Sequence, residues 1–148
     1  MKYTLDISNY SEQELNALPF GIIHLDENGM VLDYNAYESQ ISRLSCEHVI
    51  GKNFFAQIAP CTSVPEFFGR FSAGLKSGTL NENFTFDFPF SHGYRRVSIA
   101  MLGDVQTRTA WIFVADSSQA LTLRLDENRT VTPFQVSGPP GVLKINES

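Results

Sequence analysis

The sequence predicts an α+β domain, an antiparallel sheet with short helices packed on one face. Three features point there. A hairpin pattern spans Phe20 to Tyr34, a helix with one apolar face begins at Val64, and three strand-like runs follow from Asn83. With 148 residues, 43% hydrophobic and 18% charged, the chain has enough apolar surface for one core without disulfide or metal staples.

Ser11-Glu12-Gln13-Glu14 fits a capping box, so a short helix runs to Leu18 before Pro19 breaks it. Phe20 to Leu25 and Met30 to Tyr34 read as strands joined by the turn Asp26-Glu27-Asn28-Gly29. Asn35 caps a helix from Ala36 to about Arg43, and Glu47 to Ile58 gives short helical turns interrupted at Gly51-Lys52-Asn53. Ala59 to Thr62 is a loop. Phe67, Phe68, Phe71 and Leu75 give the next helix its buried face, and Gly78 ends it.

The strands Asn83–Phe90, Tyr94–Leu102 and Thr109–Ala115 come next, with Ser91-His92-Gly93 as a turn. Phe84, Phe86, Phe88 and Phe90 alternate, which sets all four on one sheet face. Ala120 to Leu125 and Thr130 to Val136 suggest a second hairpin around Asp126-Glu127-Asn128, and a short apolar stretch, Val142 to Ile145, follows a Gly-Pro-rich breaker. The expected division is an N-terminal cap segment at 1–18, the main domain at 19–116 and a β-rich extension at 117–148.

A formal net charge of -5 argues against nucleic acid and anionic membranes as partners, and no apolar run is long enough to span a bilayer. The N-terminus lacks the apolar core of a signal peptide and two cysteines make no disulfide framework, so a cytoplasmic location is expected. His24, His48 and His92 lack metal-ligand spacing, and no P-loop or G-x-S-x-G elbow occurs, so neither a metal site nor an enzyme is expected.

Tyr34, Glu38 and Ser42 recur every four residues, which aligns a phenol, a carboxyl and a hydroxyl on one helical face. Such a set suits a single polar ligand atom. Spacing alone favours the ordinary reading, with Tyr34 in the core, Glu38 solvated and Ser42 merely polar. Cys61 follows Pro60 and precedes a helix, a place where a thiol's pKa can fall and its nucleophilicity rise. The commoner role of a cysteine is packing, which is the reading for Cys46.

Four stretches together are more specific: Asn35-Ala36-Tyr37-Glu38, Val49-Ile50-Gly51-Lys52-Asn53-Phe54-Phe55, Ile58-Ala59-Pro60-Cys61-Thr62 and Pro65-Glu66-Phe67-Phe68-Gly69-Arg70-Phe71. With Phe20-Gly21-Ile22-Ile23 and Trp111-Ile112-Phe113-Val114, they closely resemble the photoactive yellow protein family from about Leu18 to Ala115. The resemblance implies a PAS fold, with a central antiparallel sheet flanked by short helices, and a blue-light photoreceptor. It also implies p-coumaric acid (4-hydroxycinnamic acid) held as a thioester on Cys61. Tyr34 and Glu38 then hold the buried phenolate, and Ser42 stands where the family has a Thr that supports the Tyr. Leu44, Phe54, Thr62, Phe86 and Phe88 complete the expected chromophore site, with Phe90 also assigned to its roof.

An anion inside a protein needs donors, and Glu38 donates only when protonated, the form that burial favours for a carboxyl. The resemblance further implies that light isomerises the chromophore and Glu38 yields its proton, and that a carboxylate then buried without a partner loosens the fold. Leu44 replaces a family Arg that acts as a lid, with Arg43 one step earlier, and nothing in the family pattern accounts for 117–148. The competing reading is a PAS domain that binds another small ligand, or an interaction module that forms a homodimer or meets a downstream protein through the extension. A small enzyme using Cys61 or Glu38 is the third.

Overall fold

The computed structural model describes residues 3–6, 11–18, 20–90, 93–115, 119–124, 131–136 and 146–147. The first strand, β1 (Tyr3–Asp6), precedes helix α1 (Glu12–Asn16). The capping box is complete. Glu14 N–H donates to the Ser11 hydroxyl, and the Ser11 N–H donates to the Glu14 carboxylate. Strands β2 (Gly21–Asp26) and β3 (Val31–Tyr34) form the expected hairpin. Its turn closes because the Asp26 carboxylate accepts from the N–H groups of Asn28 and Met30, both at 2.9 Å.

Helix α2 (Ala36–Ser42) is capped by Asn35 and stopped by Arg43 in the left-handed region. Helix α3 (Cys46–Val49) follows, capped by Ser45. A π-helical turn, Phe54–Ile58, leads to a single 3-10 turn, Pro60–Thr62, where the sequence suggested only a loop. The long helix also opens as a π turn, Pro65–Gly69, before settling into α4 (Arg70–Ser77). Gly78 ends it at φ 74°, a conformation that other residues adopt only with strain.

Strands β4 (Asn81–Phe90), β5 (Gly93–Asp104) and β6 (Thr109–Ala115) complete a five-stranded antiparallel sheet in the order β3-β2-β6-β5-β4. The expected tail hairpin forms as β7 (Gln119–Arg124) and β8 (Val131–Val136). Pro19, Ser91, His92, Asp126 to Asn128 and Val142 to Ile145 lie outside the described residues. The tail hairpin belongs to a second sheet, β8-β7-β1-β9, in which β1 runs parallel to β7 and β9 (Asn146–Glu147) pairs with β1.

The core lies on the helix side of the five-stranded sheet, called the front here. Ile23, Ile99, Met101, Ile112 and Val114 point there and meet Phe54, Phe55, Phe67 and Phe71. Phe67 packs against Phe54, Phe55, Phe84, Phe86 and Phe88, so three of the four alternating phenylalanines share the front face, and the side chain of Phe90 lies outside the described residues.

Candidate functional site

Between α2, the turns at 54–62 and the end of β4 lies a cavity of about 360 Å³. Its polar groups come from Tyr34, Glu38, Ser42 and Cys61, and its apolar wall from Leu44, Phe54, Ile58 and Phe88 together with Ala59, Pro60 and Pro89. Among the described residues, none that lines it is Lys, Arg or His.

Tyr34 ends β3, where the strand gives way to the Asn35 cap of α2. The Asn35 side-chain oxygen accepts from Glu38 N–H at 3.1 Å and from Ile22 N–H at 2.9 Å. Its amide donates to the carbonyls of Leu15 and Phe20, both at 2.9 Å. One buried side chain thus fixes α2 against β2 and the end of α1, with its polar groups satisfied. Sequence reading gave Asn35 only the capping part.

Helix α2 carries Glu38 into the interior, where it is 4% exposed, so the solvated Glu38 of the ordinary reading is not what forms. The reason sits on another strand. A Cβ at Gly21 would lie 2.0 Å from Glu38 Oε2, so the carboxyl fills space that only glycine leaves open. The Tyr34 hydroxyl donates to Ser42 Oγ at 2.8 Å, and Leu44 N–H donates to the same oxygen at 3.2 Å. Tyr34 lies in a strand rather than in α2, but the geometry still brings phenol, carboxyl and hydroxyl together at one cavity.

Burial, and secondarily the charge of Glu38, push the Tyr34 pKa well above the ordinary phenol range, with the Ser42 hydrogen bond opposing. Tyr34 is therefore a hydrogen-bond donor at any physiological pH. At Cys61 burial decides between the two readings of the thiol's pKa. Its thiol pKa is raised, chiefly by burial, with a backbone hydrogen bond opposing. The thiol sits in the 3-10 turn ahead of the helix, and desolvation outweighs proximity to the helix start.

Of the residues singled out from sequence, the cavity gathers Tyr34, Glu38, Ser42, Leu44, Phe54, Cys61 and Phe88. Thr62 and Phe86 are not among its lining residues. Thr62 is fully buried and its hydroxyl donates to the Ala59 carbonyl at 2.6 Å, while Phe86 packs edge-on against Phe67. Ile58, Ala59, Pro60 and Pro89 line the cavity without having been singled out. Their neighbours Cys61 and Phe88 were the available signal.

A family model for the PAS fold matches residues 10–115. Photoactive yellow protein of Halochromatium salexigens is 43% identical over 108 residues, covering 73% of this chain and 86% of that protein. The chain belongs to the photoactive yellow protein family. In structure it is similar to the photoactive yellow protein domain of the sensor histidine kinase Ppr from Rhodospirillum centenum, at TM-score 0.70 and 44% identity over 73% of this chain and 95% of that one. The PAS domain of the quorum-sensing receptor RpfR from Cronobacter turicensis, solved with BDSF, shares the fold alone at 15% identity and TM-score 0.56, covering 68% and 96%.

Family membership makes the chain a photoreceptor of the photoactive yellow protein type, and that type implies a chromophore. Its relatives are photoactive yellow proteins and sensor domains of the PAS fold. Among the described residues no helix is long and apolar enough to cross a membrane.

Proposed function

We propose that this chain senses blue light through p-coumaric acid held as a thioester on Cys61, with the phenolate between Tyr34 and Glu38. The observation that carries the reading is one cavity with a phenol, a carboxyl and a hydroxyl converging and a free thiol in its wall. The residues fit the group. Tyr34 keeps its proton and donates it, and hydrogen bonds to an ionised acceptor are the short, strong kind. When Tyr34 turns its hydroxyl to a ligand oxygen, Ser42 becomes the donor to Tyr34 across the same 2.8 Å contact. Glu38 supplies the second donor in its protonated form. With no cation in the lining among the described residues, these donors carry the whole stabilisation of an anion.

When bound, the chromophore supplies light absorption and a double bond that isomerises. The protein's part is the proton. Glu38 gives it up to the chromophore, and the buried carboxylate that is left destabilises the surrounding packing. Phe54 and Phe88 wall the site against water, and Leu44 closes the side where the family carries Arg.

The raised thiol of Cys61 constrains loading. Thiolate is scarce at neutral pH, so the acyl donor must itself be activated, as a thioester or an anhydride. The Cys61 sulfur bonds to the acyl carbon, the donor's leaving group departs, and the thiol proton passes to solvent base. Incubating the folded chain with such a donor adds one acyl group by mass and gives visible absorption. Cys61→Ala abolishes both and Cys46→Ala leaves both. Acylation at Cys46, or none on folded protein, contradicts the assignment.

One observation favours a second reading. Leu44 makes that side of the cavity apolar, which suits a neutral ligand. Such a ligand binds without colour and without Cys61.

A further inference from the structure

The turn that carries Cys61 is held by side-chain hydroxyls where backbone amides run out. In a π turn each carbonyl looks to the amide five residues on, and Ala59 N–H accordingly donates to the Phe54 carbonyl at 2.8 Å. The Phe55 carbonyl comes next, and the residue five on is Pro60, which has no N–H. The nearer amides are spent, because Ala59 serves Phe54 and Ile58 N–H donates to the Asn53 carbonyl at 3.3 Å. Phe55 is 4% exposed, so its carbonyl needs a donor from within the protein. The Ser63 hydroxyl supplies it, at 2.6 Å.

That one bond closes residues 55–63 into a loop. Four consecutive members, Ile58, Ala59, Pro60 and Cys61, line the cavity. The anchor is firm, since the Phe55 ring packs on Phe67, Phe68 and Phe71. Within the loop, Thr62 N–H and its hydroxyl both donate to the Ala59 carbonyl, at 2.9 and 2.6 Å. Ser63 N–H donates to the Pro60 carbonyl at 3.0 Å. Pro60 and Ser63 are exposed and Cys61 is half-buried, so packing grips this turn weakly and hydrogen bonds set its shape.

We propose that Ser63 is a positioning residue for Cys61, and that its bond to the Phe55 carbonyl aims the sulfur, and any acyl group on it, into the cavity. Ser63 does not line the cavity and acts only through the turn. Without its hydroxyl, the Phe55 carbonyl takes the Ala59 amide, four residues on, and the π turn tightens to an α turn. The chain beyond then advances by one residue, about 100° of helical rotation. Cys61 leaves the cavity wall for solvent.

The acyl clause rests on the chromophore reading, and a second reagent separates the two. In Cys46→Ala protein Cys61 is the one thiol left. Iodoacetamide alkylates it several-fold faster in Ser63→Ala than in that parent, because the sulfur has moved outward. Loaded with an activated p-coumaric acid, Ser63→Ala gives several-fold less visible absorbance per acyl group, because the phenol end no longer reaches Tyr34 and Glu38. Ser63→Thr keeps the hydroxyl and restores both values, which a general loosening of the fold does not explain. Either readout unchanged in Ser63→Ala overturns the proposal, and so does slower alkylation or a Ser63→Thr variant that behaves like Ser63→Ala. If the parent itself takes no acyl group at Cys61, the chromophore reading falls, and the alkylation rates of the two variants still decide the role of Ser63.

Discussion

On the front of the five-stranded sheet, Ile23, Ile112 and Met101 form one cross-strand row, and the helices above it leave a cavity holding a phenol, a carboxyl and a thiol. One residue along each strand, Ile22, Phe113 and Ala100 form the next row on the back, closed and apolar. The same three strands therefore serve a reactive face and a sealed one. The difference lies in what covers each. Helices α2 to α4 and their π turns span the front irregularly and leave room for a ligand, whereas on the back the Phe20 ring packs edge-on against Phe113 and the His24 ring stacks on Trp111. The site forms where close packing gives way, and the Tyr34 and Ser42 hydroxyls are tolerated there because they meet each other.

The largest effects come from emptying either face. Phe67→Ala and Phe113→Ala each cost about 3–5 kcal/mol, the usual range for deleting a buried ring. Urea midpoints measure both. Only Phe67→Ala, which removes the ring under Phe54 and Phe88, also shifts the spectrum of the loaded protein. An equal spectral shift in Phe113→Ala breaks the contrast between the faces.

Gly21→Ala is the next step down, at about 1–3 kcal/mol for an overpacked site. Its new methyl group occupies the place of Glu38 Oε2, so the carboxyl must leave its position, and the spectrum changes out of proportion to the loss of stability. A variant as coloured and as stable as wild type would show that Glu38 does not need this space.

Tyr34 gives the smallest effect at neutral pH and a distinctive one in base. The folded state holds the phenol proton more tightly than the unfolded chain does. The contribution to stability is fully present below the ordinary phenol pKa of about 10. Above it the unfolded chain binds fewer protons, and stability declines by about 1.4 kcal/mol per pH unit toward the raised folded value. Tyr34→Phe removes this alkaline slope. Denaturant midpoints across that range check it, and an unchanged slope contradicts the assignment of the raised phenol.

Local hydrogen bonding made much of the fold legible in sequence. Ser11, Asn35 and Gly78 mark helix ends because their own side chains, or the lack of one, satisfy the backbone there. The alternating phenylalanines of β4 likewise announce their face. Glu38 was legible only as a position, because its burial depends on a missing Cβ at Gly21, on a different strand. At Cys61 the sequence left a lowered thiol pKa and simple packing both open, and burial, which raises the pKa, is not a local property of the chain. The parallel pairing of β1 with β7 had no local signal at all, although the apolar run of β6 already required a cover on both faces.

The central claim is that Tyr34 and Glu38 hold the chromophore's phenolate, and visible absorbance of the acylated chain against pH tests it most directly. Glu38→Gln keeps a donor of the same shape that stabilises the anion less, so the loaded protein stays coloured and its band moves to the red. Tyr34→Phe removes one charge-assisted hydrogen bond, about 1.5–3 kcal/mol, and raises the chromophore's own pKa by roughly one to two units. Spectra and titrations that match wild type in both variants would contradict the account and leave the cavity to a neutral ligand.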